Sequence, residues 1–365
     1  MANEAGVKRV AIVGGGNLGI DLAKALDDSL DVTLIERADA FTLAPAMIRG
    51  LVDPSVLDQA IIPYDKLLSK GRVVKGEATE VSSDGVTLAD GTKVAADYIV
   101  MATGSGNLAP FKSSTGDIAS LRASNAAWNA ALKAAQTVVI VGAGAVGTEL
   151  AGEIAAAMPT KKVTLISSDD KLFPTFAPKL GSTLLKKLNG MGVDVLLGER
   201  VAELPVGDVP TGGLVTLSSG KTLDADLIVP AVGVRLQPGL IDTLPDVTRG
   251  PDRRVKVDAW MRPSSLPNVF AAGDVADNGD LMTIVASSRQ APWLAKLLKA
   301  VAGGQSVESQ KAYKPWGKAP ILIPLGPERG SSFLMIGTFG DWVTRQIKGK
   351  NLFLNQYQKT FGRSG

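Results

Sequence analysis

Apolar residues in this chain gather into short runs that end in small residues, and stretches with helical spacing lie between them. VAIV (10–13) and VVIV (138–141) are rich in β-branched residues and uninterrupted by polar ones. Such runs suit parallel strands covered on both faces. An Ala- and Leu-rich helical stretch follows each. DVTLIER (31–37) and KKVTLISS (161–168) read as the next strands, and MGVDVLLGERV and LVTLSSGKTLDADLIV as strands around a Gly-Lys turn. Further apolar runs ending in small residues occupy 97–105 (DYIVMATGS), 226–234 (DLIVPAVGV) and 266–277 (LPNVFAAGDVAD). Strands alternating with helices predict an α/β fold. AGGQSVESQKAYKPWG (302–317) has the composition of a linker.

Between each early strand and its helix stands the same spacing, G-x-G-x-x-G. The glycines are Gly14, Gly16 and Gly19, then Gly142, Gly144 and Gly147, 128 residues further on. The first glycine permits a tight turn, the second lets a pyrophosphate approach the backbone, and the third lets helix and strand pack closely. The helix N-terminus offers unpaired N–H groups and its positive dipole end to phosphate. Glu36, at the tip of the strand after the first copy, can accept from both hydroxyls of an adenosine ribose. Two such units predict two dinucleotides, one retained and one exchanged. The strand after the second copy ends in Ser167 and Ser168, with Asp169, Asp170 and Lys171 just beyond. With no carboxylate at that tip to repel a 2′-phosphate, and Lys171 near enough to attract one, NADPH is expected to be accepted beside NADH. Two serines are equally an ordinary polar strand end.

Composition narrows the chemistry. The 365 residues include no Cys and no His. Disulfides, thiolate nucleophiles, redox dithiols and the Ser-His-Asp triad are therefore absent. A zinc site would need carboxylates alone, and no metal is expected. Chemistry that needs neither side chain favours an organic cofactor. The net charge of +3 gives no reason to expect nucleic-acid binding. No apolar run reaches the ~18 residues of a membrane span. MANEAGVKRV lacks a signal-peptide core, and Ala2 stands where N-myristoylation needs Gly, so a cytoplasmic protein is expected. The last 21 residues carry Arg345, Lys348, Lys350, Lys359 and Arg363 and no acid. Trp342, Val343, Ile347, Leu352, Phe353, Leu354 and Phe361 interleave with them, so this basic segment either rests on an anionic membrane or packs inward.

With the two glycine loops, the A-T-G of 97–105, the degenerate copy at 226–234 and the Gly-Asp of 266–277, the chain resembles the two-dinucleotide-binding flavoproteins of the pyridine nucleotide–disulfide oxidoreductase fold over about residues 8–300. The resemblance implies two Rossmann-like domains, the second inserted in the first. The FAD domain would be 1–105 with 236–300, the NAD(P)H domain 106–235, and a C-terminal segment, 301–365, would cover the flavin. The disulfide reductases of this fold carry a Cys pair near the flavin; the corresponding stretch here, ADAFTLAPAMIRGLVDP, has none. That stretch and the tail, AYKPWGKAPILIPLG followed by GTFGDWVTRQIKGKNLFLNQYQKTFG, look like the apoptosis-inducing-factor-2-like, ferroptosis-suppressor-protein-like group, akin to type II NADH dehydrogenases. Phe41 and Arg49 match that group, whereas Thr42, Leu43 and Ala44 stand where it has His-His-Asn.

The resemblance implies that FAD, held non-covalently, meets Gly14, Gly16, Gly19, Glu36, Arg49, Ala78, Thr103, Gly104, Gly273, Asp274 and Arg289. NADH or NADPH would meet Gly142, Gly144 and Gly147. Glu149 would approach the nicotinamide or flavin, Lys348 would lie by the flavin, and Gln290 would act from the helix after Asp274. Each has a plainer reading: Glu149 a helix-surface acid, Asp274 a helix N-cap, Arg289 and Gln290 a solvated helix face, Lys348 a surface lysine. Asp21 occupies in the first unit the place of Glu149 in the second. Hydride transfer between stacked rings needs distance and orientation, not a protein acid or base. The expected activity is an FAD-dependent NAD(P)H oxidoreductase reducing a small molecule, a quinone in the group it resembles, as monomer or homodimer. A reductase of a small iron–sulfur protein and a flavin redox sensor are the competing readings.

Overall fold

Val10, Ala11, Ile12 and Val13 are at most 4% exposed, so the Arg9–Val13 strand has no solvent face. It sits mid-sheet. The strand order is Val269–Ala271, Tyr98–Met101, Arg9–Val13, Asp31–Glu36, Arg72–Lys75, all parallel. Burying each Val or Ile side chain here contributes roughly 1.5–3 kcal/mol, which fixes the register Val13↔Ile35 and Val13↔Met101. The computed structural model describes residues 6–106, 111, 116–204, 209–232, 235–236 and 239–363. Ala2 and the last two residues of the 226–234 stretch lie outside them.

A second sheet repeats the plan. Its order is Val193–Leu196, Lys162–Ile166, Thr137–Val141, Thr222–Pro230, Thr211–Thr216, with only the last strand antiparallel. The first sheet draws strands from both sides of this stretch. The chain's two crossings between the sheets run side by side: Ser105–Gly106 pairs antiparallel with Arg235–Leu236. The structure is thus α/β, with two parallel-centred sheets, as the patterning predicts.

The C-terminal segment joins the two bodies. Its antiparallel strands Ile321–Leu325, Arg329–Leu334 and Gly337–Phe339 pack on the second body, where Ile321, Ile323, Leu325 and Phe333 enter the core of Leu150, Ile154 and Leu184. The helix Ala145–Ala157 lies so close that a Cβ at Gly152 would meet Leu325 Cα at 2.4 Å. The final helix, Leu354–Thr360, packs instead on the first body, with Leu354, Tyr357 and Phe361 beside Phe41 and Tyr64. Tyr357 stacks on Phe41 at 5.2 Å between ring centroids. The apolar residues of the tail divide: Leu352, Leu354 and Phe361 are buried, Val343 and Phe353 are half-buried, and Trp342 and Ile347 are exposed, Trp342 to 73%. Among the described residues no helix is long and apolar enough to cross a membrane.

Candidate functional site

Both glycine loops are built alike. Gly14 (φ +109°) and Gly142 (φ +108°) occupy backbone conformations that disfavour a side chain, and a Cβ at either would press on a neighbouring carbonyl, Ala102 O or Ala231 O. Their N–H groups donate to Ile35 O at 2.8 Å and Ile166 O at 2.9 Å, tying each turn to the neighbouring strand. A Cβ at Gly19 or Gly147 would lie 1.9 Å from the carbonyl oxygen of that first glycine, so helix and turn touch there. The middle glycine differs. A Cβ at Gly16 or Gly144 would meet nothing within 4 Å. Protein packing does not require glycine at those two positions; the space in front of each helix start does, once a ligand's phosphates enter it.

Around the first loop, Glu36 accepts from Gly15 N–H at 2.5 Å through one carboxylate oxygen and from Ala38 N–H at 2.8 Å through the other. Tyr64 Oη donates to Gly15 O at 2.8 Å, and burial, then the nearby Glu36, pushes its phenol well above its usual range. Thr103 Oγ1 and Asn17 Oδ1 are buried without a protein partner, one at the end of a strand and the other at the start of the Asn17–Leu26 helix. Buried polar atoms left unpaired cost ~1–3 kcal/mol each, and a dinucleotide would relieve that cost. Gly104 (φ +64°) follows Thr103. Asp274 accepts from Ser105 Oγ at 2.6 Å, and Gly273 (φ +79°) donates its N–H to Gln290 Oε1 at 2.8 Å. Ala78 begins the half-buried strand Ala78–Ser82, two residues after Gly76, whose N–H donates to Glu36 O at 2.9 Å. The donor set and the space at Gly16 fit FAD.

The second loop opens onto a cavity of about 610 Å³ lined by Gly142, Gly144, Ser167, Ser168, Phe173 and Arg200, among others. The sequence points to Lys171 as the cation here, but it is Arg200 that lines the cavity. It comes from beyond the next strand, Val193–Leu196, a relation that no local spacing reveals. Glu199, also at the wall, is held by Ser218 Oγ (2.8 Å) and Ser219 N–H (3.2 Å).

Where the two bodies and the tail meet, the structure brings together residues expected to act separately. Lys348 Nζ donates to Glu149 Oε1 at 2.6 Å and to Leu322 O at 3.2 Å. The two side chains are 10% and 4% exposed. Burial pushes the Glu149 carboxyl above its usual range, with Lys348 opposing. Lys348 lies in a π-helical turn, Arg345–Gly349, followed by two residues in the left-handed region, Leu352 (φ 52°) and Phe353 (φ 66°). Such turns and strained residues gather at functional sites, and neither is legible in the sequence. One helical turn after Glu149, Glu153 accepts from Nε and Nη2 of the Arg49 guanidinium, with the shortest contact at 2.8 Å; Arg49 Nη2 also donates to Gly349 O at 2.8 Å. The guanidinium of Arg49 is thus engaged at this seam.

Arg289 stacks between Tyr313 and Trp316, 5.1 and 4.8 Å from the ring centroids, and its guanidinium donates to Lys314 O. Gln290 bridges Gly273 N–H to Asp280. Asp21 is half-buried beside Tyr357, and burial raises its carboxyl to about 6. Among the described residues no group of His, Cys, Asp and Glu has the arrangement of a metal site.

Two sequence profiles, both described as pyridine nucleotide-disulphide oxidoreductase, match residues 9–61 and 63–291. The apoptosis-inducing factor homolog B of Dictyostelium discoideum is 32% identical over 375 residues, 96% of each chain. Ferroptosis suppressor protein 1 of Homo sapiens is 28% identical, covering 99% of this chain and 98% of its own. Among solved structures, the sulfide:quinone oxidoreductase of Aquifex aeolicus superposes with a TM-score of 0.78 at 18% identity, covering 98% of this chain and 92% of its own. NDH2 of Plasmodium falciparum in complex with NADH gives 0.72 at 15% identity, covering 98% and 99%.

Proposed function

Because the chain belongs to the pyridine nucleotide-disulphide oxidoreductase family, and so is an oxidoreductase that binds FAD and NAD(P)H, we propose that it passes the electrons of the nicotinamide nucleotide to a quinone-type small molecule. The observation that carries this reading is the buried Lys348–Glu149 contact. With no Cys in the chain, no protein thiol can relay electrons. When bound, FAD supplies the two-electron chemistry between nucleotide and acceptor.

The residues of the chain do the rest. Gly14, Gly16, Gly19, Glu36, Thr103, Gly104 and Asp274 would hold FAD, and Gly142, Gly144 and Gly147 the pyrophosphate of NAD(P)H. An ammonium has three N–H donors. Those of Lys348 reach Glu149 and Leu322 O, leaving one for an acceptor oxygen. Glu149 fixes the direction of that ammonium and balances its charge in a setting where an unpaired cation would be costly. A group that gains negative charge and then a proton, as a quinone oxygen does on reduction, is stabilised by a preorganised cation of this kind.

Anaerobic spectroscopy tests the proposal. NADH should bleach the flavin spectrum of the purified protein, and a soluble quinone should restore it within the turnover time. Restoration by a small iron–sulfur protein but not by quinone would replace this reading with a protein-acceptor reductase; restoration by neither would leave a redox sensor.

A further inference from the structure

Asp280 is a fully enclosed carboxylate outside the pair already described, its side chain 0% exposed. It lies between the Gly273–Asp274 loop and the Ile284–Ala302 helix. Its oxygens receive three hydrogen bonds. Tyr313 Oη and Gln290 Nε2 (3.1 Å) donate to Oδ2, and the Trp316 backbone N–H (2.9 Å) donates to Oδ1. Arg289 stands 3.8 Å away, fixed between the Tyr313 and Trp316 rings. Burial, then the bond to Asp280, pushes the Tyr313 phenol far above its usual range, which keeps it a donor.

Two of those donors belong to the 313–316 stretch, which reads in the sequence as a linker. The third, Gln290, has its other end on the cofactor loop, accepting from Gly273 N–H at 2.8 Å. Asp280 therefore ties the start of the C-terminal segment to the loop that carries Asp274. The amide of Gln290 has one orientation only. Turned over, it would aim its NH₂ at Gly273 N–H, donor against donor, and its carbonyl at the carboxylate, acceptor against acceptor.

We propose that Asp280 is a positioning residue for FAD: it orients Gln290, which sets the Gly273–Asp274 loop, and it fastens the 313–316 strap across that loop. The proposal rests on the FAD-binding reading of the loop and is independent of the acceptor. It makes retention of FAD depend on the polarity of one contact, a carboxylate facing an amide donor, rather than on packing volume.

The polarity can be inverted without changing shape. D280N, in either orientation of its amide, turns an NH₂ against a present donor, Gln290 Nε2 in one and the Trp316 N–H in the other, and Q290E presents a carboxylate to the carboxylate of Asp280. D280N/Q290E restores a donor facing an acceptor, and the carboxylate that Q290E introduces can still accept from Gly273 N–H. The readout is the FAD dissociation constant of each apoprotein, from quenching of flavin fluorescence, together with the shape of the bound-flavin spectrum and far-UV circular dichroism. Each single variant should bind FAD at least tenfold more weakly, and the double should return to within about threefold of the starting protein. Y313F, which deletes one hydroxyl from the strap, should weaken FAD several-fold with the fold intact. If D280N does not fold, recovery in the double variant and the effect of Y313F decide the matter. Single variants within twofold of the starting protein, or a double no better than the worse single, would overturn the assignment. A starting protein that itself binds no FAD would instead remove the reading on which the proposal rests.

Discussion

Lys348 and Glu149, 199 residues apart in sequence, meet at 2.6 Å inside the seam between the second body and the C-terminal segment. Removing one charge of a buried pair leaves the other uncompensated, at a cost of about 3–5 kcal/mol. K348M should therefore lower the denaturation midpoint, and K348M/E149Q should recover part of the loss. In kinetics the two half-reactions should separate. Bleaching of the flavin by NADH should stay within a few-fold in K348M, whereas re-oxidation by quinone should slow by tenfold or more. Stopped-flow measurement of both halves checks this, and equal slowing of both would assign Lys348 to nucleotide binding.

A second pair lies one turn along the same helix. Glu153 holds Arg49 of the Ala44–Gly50 helix, which in turn donates to Gly349 O, so one guanidinium touches all three parts of the chain. R49A should destabilise by about 3 kcal/mol, and R49A/E153A by less than the sum of the single changes, because the double leaves no buried unpaired charge. Urea denaturation of the four proteins gives the coupling directly.

What was legible in the sequence was what short spacing dictates. Gly14, Gly19 and Glu36 could be read because a turn with positive φ, a helix in contact with that turn and a carboxylate at a strand tip are local requirements of one strand–helix–strand unit. Contacts across the seam could not. Lys348 and Arg49 each carry a family likeness, but the Lys348–Glu149 contact follows from the tail folding back on the second body and the Arg49–Glu153 contact from the two bodies meeting, and no periodicity encodes either. Asp280 and the 313–316 stretch resemble an ordinary loop and linker until Tyr313 and Trp316 are seen to converge on one carboxylate. Apolar residues scattered through a basic tail satisfy a membrane face and a core equally, and only burial separates Leu354 and Phe361 from Trp342.

The nucleotide cavity yields a preference that can be measured. Ser167 and Ser168 stand at the strand end, and the cavity wall beyond them carries Arg200 together with Asp169 and with Glu199, whose carboxylate is already held by Ser218 and Ser219. A 2′-phosphate pairs well with a guanidinium. R200A should raise KM for NADPH about tenfold while leaving NADH within threefold, and S168E should discriminate against NADPH in the same direction by repulsion. Steady-state oxidation of both nucleotides by each variant tests this, and equal effects on NADH and NADPH would place Arg200 outside the 2′ position.

Asp21 gives the stability a pH dependence of known sign. Its carboxyl is raised to about 6 by burial, beside Tyr357, whose phenol burial and Asp21 also push upward. In the unfolded chain the same group titrates near its ordinary value of about 3.9. Between those values the folded state binds the proton and the unfolded state does not, so stability falls as pH rises from about 4 to about 6 and stays reduced above that. The shift corresponds to at most about 3 kcal/mol, since one pKa unit is ~1.4 kcal/mol, and partial exposure reduces it. D21N removes the titration and keeps the shape. It should therefore melt several degrees above the starting protein at pH 7.5, with the difference shrinking toward zero at pH 4. Differential scanning calorimetry across that range decides the point: a difference that does not change with pH would mean the gain comes from packing rather than from a buried charge.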